Sequence, residues 1–148
     1  MSRPGRDAEL CPGVRVLVTD RSGGVSTGPF ASLNVSFGVG DDSRAVTRNR
    51  DIVLAVAGAG RLSWMRQVHG AAVVRDDDAQ VADAIFTGAP GAGLAVQVAD
   101  CAPVLVADPV AGLAGAAHAG RPGLAAGVVP ALVAAMMAAG RSQSGCTR

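Results

Sequence analysis

The stretch from Ala99 to Gly123 restricts the fold of this chain more than any other. It reads Ala99-Asp100-Cys101-Ala102-Pro103-Val104-Leu105-Val106-Ala107-Asp108, a turn, then Ala114-Gly115-Ala116-Ala117-His118-Ala119-Gly120-Arg121-Pro122-Gly123. Short apolar runs bounded by turn-forming residues read as strands. A cysteine stands at the end of one run and a histidine at the end of another. The only other histidine lies in Gln67-Val68-His69-Gly70, with the same layout of strand, polar tip and glycine. Three such tips can converge on one point.

Imidazole nitrogen and thiolate sulfur together suit zinc or copper, and a catalytic zinc takes three protein ligands and leaves one position open. His69, Cys101 and His118 are therefore candidate metal ligands. Their separations, 32 and 17 residues, do not match a zinc finger, and no Cys-x-x-Cys pair occurs. The same residues have plainer readings, because cysteine is a common core residue and a histidine can serve as a hydrogen-bonded structural group. Cys101 as a nucleophile with His118 or His69 as base is a further, metal-free reading. Spacing leaves all of these open.

A length of 148 residues fits one domain with a core of ordinary size. We expect that domain over residues 13–140, between a disordered tail, 1–12, and an irregular tail, 141–148. Net charge is +1 with 17% charged residues, which gives no basic surface for nucleic acid and no acidic tail for a basic partner. Hydrophobic residues make up 49% and aromatics 3%, so the core must pack with small side chains. Cys11, Cys101 and Cys146 form an odd, scattered set that suits a reducing cytoplasm better than a disulfide framework. Residues 1–12 hold no apolar stretch of signal-peptide type. The uncharged run Pro122 to Gly140 is mostly Ala and Gly and contains Pro130, which favours a partly buried helix over a membrane span.

Val14, Val16 and Val18 alternate with more polar positions and predict a strand that delivers the loop Asp20-Arg21-Ser22-Gly23-Gly24. Paired glycines allow close approach of backbone amides to a ligand, and Arg21 can bind an anion, although turn chemistry explains the glycines equally well. Asp41-Asp42-Ser43 starts a helix over Asp42 to Ala57, stopped by Gly58. Leu62 to His69 predicts a strand, with Ala72 to Val74 as its hairpin partner across Gly70. The run Arg75-Asp76-Asp77-Asp78 reads as a solvated loop, because three consecutive carboxylates cannot point one way. Asp83 to Thr87, Leu94 to Ala99, Val104 to Ala107 and Leu113 to Ala117 predict further strands, with Pro103 interrupting regular pairing. Leu124, Val128, Leu132 and Met136 set a helical stripe over Gly123 to Ala139, with Pro130 as a kink or a first-turn residue.

Five words in order, Thr19-Asp20-Arg21-Ser22-Gly23-Gly24-Val25-Ser26, Ser32-Leu33-Asn34, Gln67-Val68-His69-Gly70, Ala99-Asp100-Cys101-Ala102-Pro103-Val104 and Ala117-His118-Ala119-Gly120, carry a resemblance. Together they resemble the peptidoglycan-editing factor family, also called the laccase-like multicopper polyphenol oxidase family, which is associated with purine nucleoside phosphorylase activity. The resemblance covers most of Val14 to Gly140. It implies an α/β fold with mixed sheets in a layered α/β/β/α arrangement. It also implies a zinc-dependent phosphorylase acting on adenosine, inosine and methylthioadenosine with phosphate, adenosine deamination, and a link to peptidoglycan precursor editing.

On that reading His69, Cys101 and His118 hold zinc, Asp100 orients a ligand or acts as acid or base, and Arg21, Gly23, Gly24 and Asn34 serve substrate and phosphate. Asn49 and Arg50 match an Asn and Arg kept by family members. The expected partners are a purine nucleoside and phosphate, with no nucleic acid and no membrane. Copper-dependent phenol oxidation is the alternative the second family name implies, yet a multicopper site needs more than the two histidines present. Two departures bear on activity. The family's His-Ala-Gly-Trp-Arg-Gly is here His118-Ala119-Gly120-Arg121-Pro122-Gly123. The family's C-terminal strands and helices are expected to be missing, so an inactive fragment is the non-enzymatic alternative.

Overall fold

Asp42 accepts a hydrogen bond from the Arg44 amide at 3.0 Å and so starts α1 (Ser43–Ala57), which Gly58 ends in the left-handed conformation at φ 64°. The structure is a computed structural model that describes residues 4–76 and 80–144. Cys146 and the Asp77-Asp78 part of the acidic run lie outside those residues. The chain divides into two compact units, Met1–Arg61 and Leu62–Arg148, where composition predicted one. The mixed α/β class is as expected.

In the first unit, β1 (Arg6–Cys11) pairs antiparallel with β2 (Val14–Val18). The expectation of disorder through residue 12 is thus corrected: residues 6–11 form a strand. It is exposed along most of its length, so backbone pairing with β2 orders it, and no apolar alternation announces it. The face of α1 that carries Val46, Asn49 and Val53 is buried. Fully buried Asn49 spends its whole amide. Its Oδ1 accepts from the Val25 amide at 2.8 Å, and its Nδ2 donates to Ser26 Oγ at 2.9 Å and to the Asn34 carbonyl at 2.7 Å. One side chain therefore ties the helix to the glycine-rich loop that precedes it.

The second unit is built on a four-stranded sheet in the order β4 (Val73–Arg75), β5 (Ala84–Thr87), β8 (Leu113–Ala119), β7 (Ala102–Asp108). β4 runs parallel to β5, and the other two pairings are antiparallel. The predicted hairpin of residues 72–74 with 62–69 is not formed. β3 (Arg61–Trp64) pairs instead with β6 (Ala92–Ala95), since β4 can satisfy its backbone on the buried β5.

Pro103 does not interrupt pairing either. It sits opposite His118 inside β7, an edge strand that tolerates a missing amide hydrogen. The predicted single helix over 123–139 is two, α2 (Arg121–Ala125) and α3 (Val128–Ser144). Gly127, at φ 86°, breaks the chain between them, which puts Pro130 in the first turn of α3. α3 also runs through Ser144, into residues expected to form an irregular tail.

Alternation along the strands sorts the core into two clusters. Ala84, Phe86, Leu113 and Ala117 face Val128, Leu132 and Met136 of α3. Ile85 and Ala116 face the other way, with Met65, Ala82 and Leu94 of the β3 and β6 side. This unit thus has a helix, a sheet and a second small sheet in succession. Close packing of small residues replaces aromatic bulk: a Cβ on Gly115 would stand 2.6 Å from Met136 Sδ.

Candidate metal centre

β8 alternates so that Leu113 and Ala117 face α3 while Ala116 and His118 face the opposite side. His118 is 4% exposed, and its Nδ1 lies 2.8 Å from Oδ1 of fully buried Asp83. The same pair is joined along the backbone, where the His118 amide donates to the Asp83 carbonyl at 2.7 Å. Cys101 immediately precedes β7, the neighbour of β8, and so reaches the same end of the sheet.

His69 arrives from the loop after β3, in the left-handed region at φ 61°. That conformation is costly for a residue with a Cβ. The Asp83 carboxylate compensates by accepting from three successive amides: Val68 at 3.2 Å, His69 at 2.9 Å and Gly70 at 2.8 Å. Gln67 fastens the loop from the other side. Its Nε2 donates to the Gln97 carbonyl at 2.7 Å, and its Oε1 accepts from the Gln97 amide at 2.8 Å.

The ligand atoms of His69, Cys101 and His118 all lie within 4.8 Å of one another, the one such cluster among the described residues. Cys101 Sγ is 3.8 Å from His69 Nε2, and the two imidazole centroids are 4.6 Å apart at an interplanar angle of 72°. A tetrahedral zinc with ordinary bond lengths sets its sulfur and nitrogen ligands about 3.4–3.6 Å apart. The cluster thus needs to draw in by at most about 1.2–1.4 Å at its widest. The donor set fits zinc or copper. Exposure runs from buried His118 through half-buried Cys101 to exposed His69, which leaves one side open to a substrate.

Burial pushes the Asp83 carboxyl up, but hydrogen bonds from His118 and from the Gly70, Val68 and His69 amides outweigh it and hold Asp83 below the usual carboxylate range. An ionised carboxylate only accepts, so Nδ1 of His118 carries the hydrogen and Nε2 is the atom left for a metal. Burial, then the charge of Asp100 and a hydrogen bond to it, push the Cys101 thiol up. Such a thiol is poorly prepared to act alone as a nucleophile, and a divalent cation bound to it would favour the thiolate.

Gly120, beside the histidine, is a residue whose part the sequence did not disclose. A Cβ there would lie 2.7 Å from His69 Cδ2 and 3.0 Å from Cys101 Sγ. Asp83 was missed as well, although an acid flanked by alanines at the head of an apolar strand is a signal.

Arg21, Gly23, Gly24 and Asn34 fall in the first unit, and Asp100 in the second. Exposed Arg21 donates from Nε to the Ala31 carbonyl at 2.8 Å and from a terminal nitrogen to the Pro29 carbonyl at 3.4 Å. Gly23 is at φ 83°. Gly24 is explained by packing, since a Cβ would stand 2.1 Å from the Ser32 carbonyl. Asn34 donates to Asp41 Oδ2 at 2.9 Å and to the Ser36 carbonyl at 3.2 Å, so its side chain holds its own loop. Asp100 is exposed, 3.8 Å from Cys101 Sγ.

A mixed α/β chain with a thiol and two imidazoles gathered at one end of a sheet defines the class: a candidate metalloprotein with a mononuclear His, Cys, His site. The chain belongs to the family described as multi-copper polyphenol oxidoreductase laccase, whose model matches residues 15–147. A purine nucleoside phosphorylase of Streptomyces coelicolor is 55% identical over 126 residues, covering 80% of this chain and 52% of the relative. Another of that name from Streptomyces griseus is 48% identical over 151 residues, covering 96% of this chain and 61% of the relative. The crystal structure of Neisseria meningitidis protein NMB0706, a DUF152 protein, matches with TM-score 0.82 and 39% identity over 88% of this chain and 56% of that one. YlmD of Geobacillus stearothermophilus matches with TM-score 0.69 and 37% identity over 74% of this chain and 46% of that one. The chain thus spans about half to three-fifths of the length of these two curated relatives. Among the described residues no helix is long and apolar enough to cross a membrane.

Proposed function

We propose that this chain carries the metal centre of a zinc-dependent purine nucleoside phosphorylase, with His69, Cys101 and His118 as ligands. The observation that carries the reading is the gathering of these three side chains within 4.8 Å from distant points in the sequence. The relatives' shared name, purine nucleoside phosphorylase, supports the reaction class. Phosphorolysis changes no oxidation state, which favours redox-inert zinc over copper.

Bound there, zinc supplies a Lewis acid and a water of lowered pKa. His118 is held by Asp83 with one nitrogen presented to the centre, and His69 leaves the open side to the nucleoside. Asp100, exposed beside the ligand, is assigned to take or give a proton at its carboxylate, in phosphorolysis or in deamination of adenosine. Phosphate is assigned to the loop of Arg21, Gly23, Gly24 and Asn34. Arg21 supports this because a guanidinium has five N–H donors and, among the described residues, two of its nitrogens bond to carbonyls.

The test is metal analysis of the purified chain after zinc loading, beside phosphate-dependent adenine release from adenosine. About one zinc per chain in the wild type, lost in Cys101→Ala and His118→Ala, is expected, with adenine release lost in the same variants. Absence of bound zinc in the wild type overturns the proposal. A coloured copper–thiolate complex that forms in preference to zinc, with phenol oxidation, would favour the family's oxidase description instead.

A further inference from the structure

We infer that Asp83 is the positioning residue that sets both imidazoles of the metal centre from a single carboxylate. The inference rests on the zinc reading above and extends it to a residue that touches no metal. Oδ1 accepts from His118 Nδ1 at 2.8 Å and from the His69 amide at 2.9 Å. Oδ2 accepts from the Gly70 amide at 2.8 Å, and the Val68 amide lies 3.2 Å from both oxygens. Two ligands on different elements therefore have one common anchor. For His118 the carboxylate fixes the tautomer and the ring plane. For His69 it stabilises the left-handed turn that swings the imidazole toward Cys101.

The arrangement cannot be reproduced by the isosteric amide. In Asp83→Asn the amide NH2 replaces one oxygen, and both oxygens face N–H donors. With the NH2 at the Oδ2 position, a donor meets the Gly70 and Val68 amides. With it at Oδ1, a donor meets the His69 amide and forces His118 Nδ1 to accept, which moves the ring hydrogen onto Nε2, the atom a metal needs. Either orientation disturbs a ligand, through His69 in one case and His118 in the other.

Cobalt(II) serves as a spectroscopic probe of the centre. We expect the wild type to bind it with the intense visible bands and thiolate charge transfer of a four-coordinate site. Asp83→Asn should weaken zinc and cobalt binding about 10–100-fold and shift the cobalt bands. A purely structural part for Asp83 predicts lower thermal stability with the cobalt spectrum and metal affinity unchanged. Nitrogen-15 imidazole NMR of the wild type before metal addition supplies a measurement independent of any variant: His118 should be the Nδ1–H tautomer.

Wild type that binds cobalt, with Asp83→Asn binding as tightly and with the same spectrum, overturns the positioning role and leaves the zinc reading intact. An Nε2–H tautomer for wild-type His118 overturns it likewise. Wild type that binds neither zinc nor cobalt overturns both.

Discussion

A methyl group on Gly120 would meet His69 Cδ2 at 2.7 Å and Cys101 Sγ at 3.0 Å. Both are side-chain atoms near solvent, and both can move, so Gly120→Ala costs little in folding and much in ligand placement. Metal affinity is expected to fall at least about tenfold, while the melting temperature without added metal shifts by under about 4 °C. Equal metal affinity in variant and wild type, by competition with a chromogenic chelator, would show that the cluster adapts. In the other unit, hydrogen bonds from Ser26 and then Asn34 hold Asp41 below the usual carboxylate range despite some desolvation. A folded-state pKa below the unfolded one contributes stability above the unfolded value and loses it as pH falls through the folded value. Wild type should therefore lose stability below about pH 4, and Asp41→Asn should show a shallower dependence in urea unfolding. The three candidate ligands were legible from residue type together with the family words that surround them. Asp83 and Gly120 were not, because one acts through hydrogen bonds and the other by the absence of a side chain.

Elements with a strong local code were read nearly to the residue. α1 has a capping aspartate and a left-handed glycine at its ends, and its expected span of 42–57 became Ser43–Ala57. Strand partners were harder, because β4 takes β5 rather than the sequence neighbour, and nothing in Val73 to Arg75 specifies which edge it joins. The edge position of β7 that admits Pro103 is likewise a property of the sheet. Where the stripe along α3 was legible, it also marks the side chains that hold the helix down. Leu132 is fully buried against the face of Ala84, Phe86 and Leu113. Leu132→Ala should cost about 2–5 kcal/mol in reversible unfolding. Met137 on the outward side is 56% exposed, and its replacement by Ala should change stability by under about 0.5 kcal/mol. Similar losses for the two would show that α3 is not seated as described.

For the second unit as a whole, the candidate centre joins three segments that hydrogen bonding alone connects only in part. His69 lies ahead of β4, Cys101 ahead of β7 and His118 within β8. A cation bound by all three attaches the long loop of His69 to the end of the sheet, and it does so only in the folded chain. Binding to the folded state alone stabilises by about 2.7 kcal/mol at a free metal concentration one hundred times the dissociation constant. For chains of this size that corresponds to a rise in melting temperature of roughly 5–11 °C on zinc addition, reversed by a chelator. Cys101→Ala and His118→Ala should show little of this shift, because two remaining ligands bind weakly and the loop is then held by its hydrogen bonds without the cation. A zinc-induced rise of equal size in wild type and both variants would place the stabilising metal elsewhere and remove the physical link between this cluster and the fold.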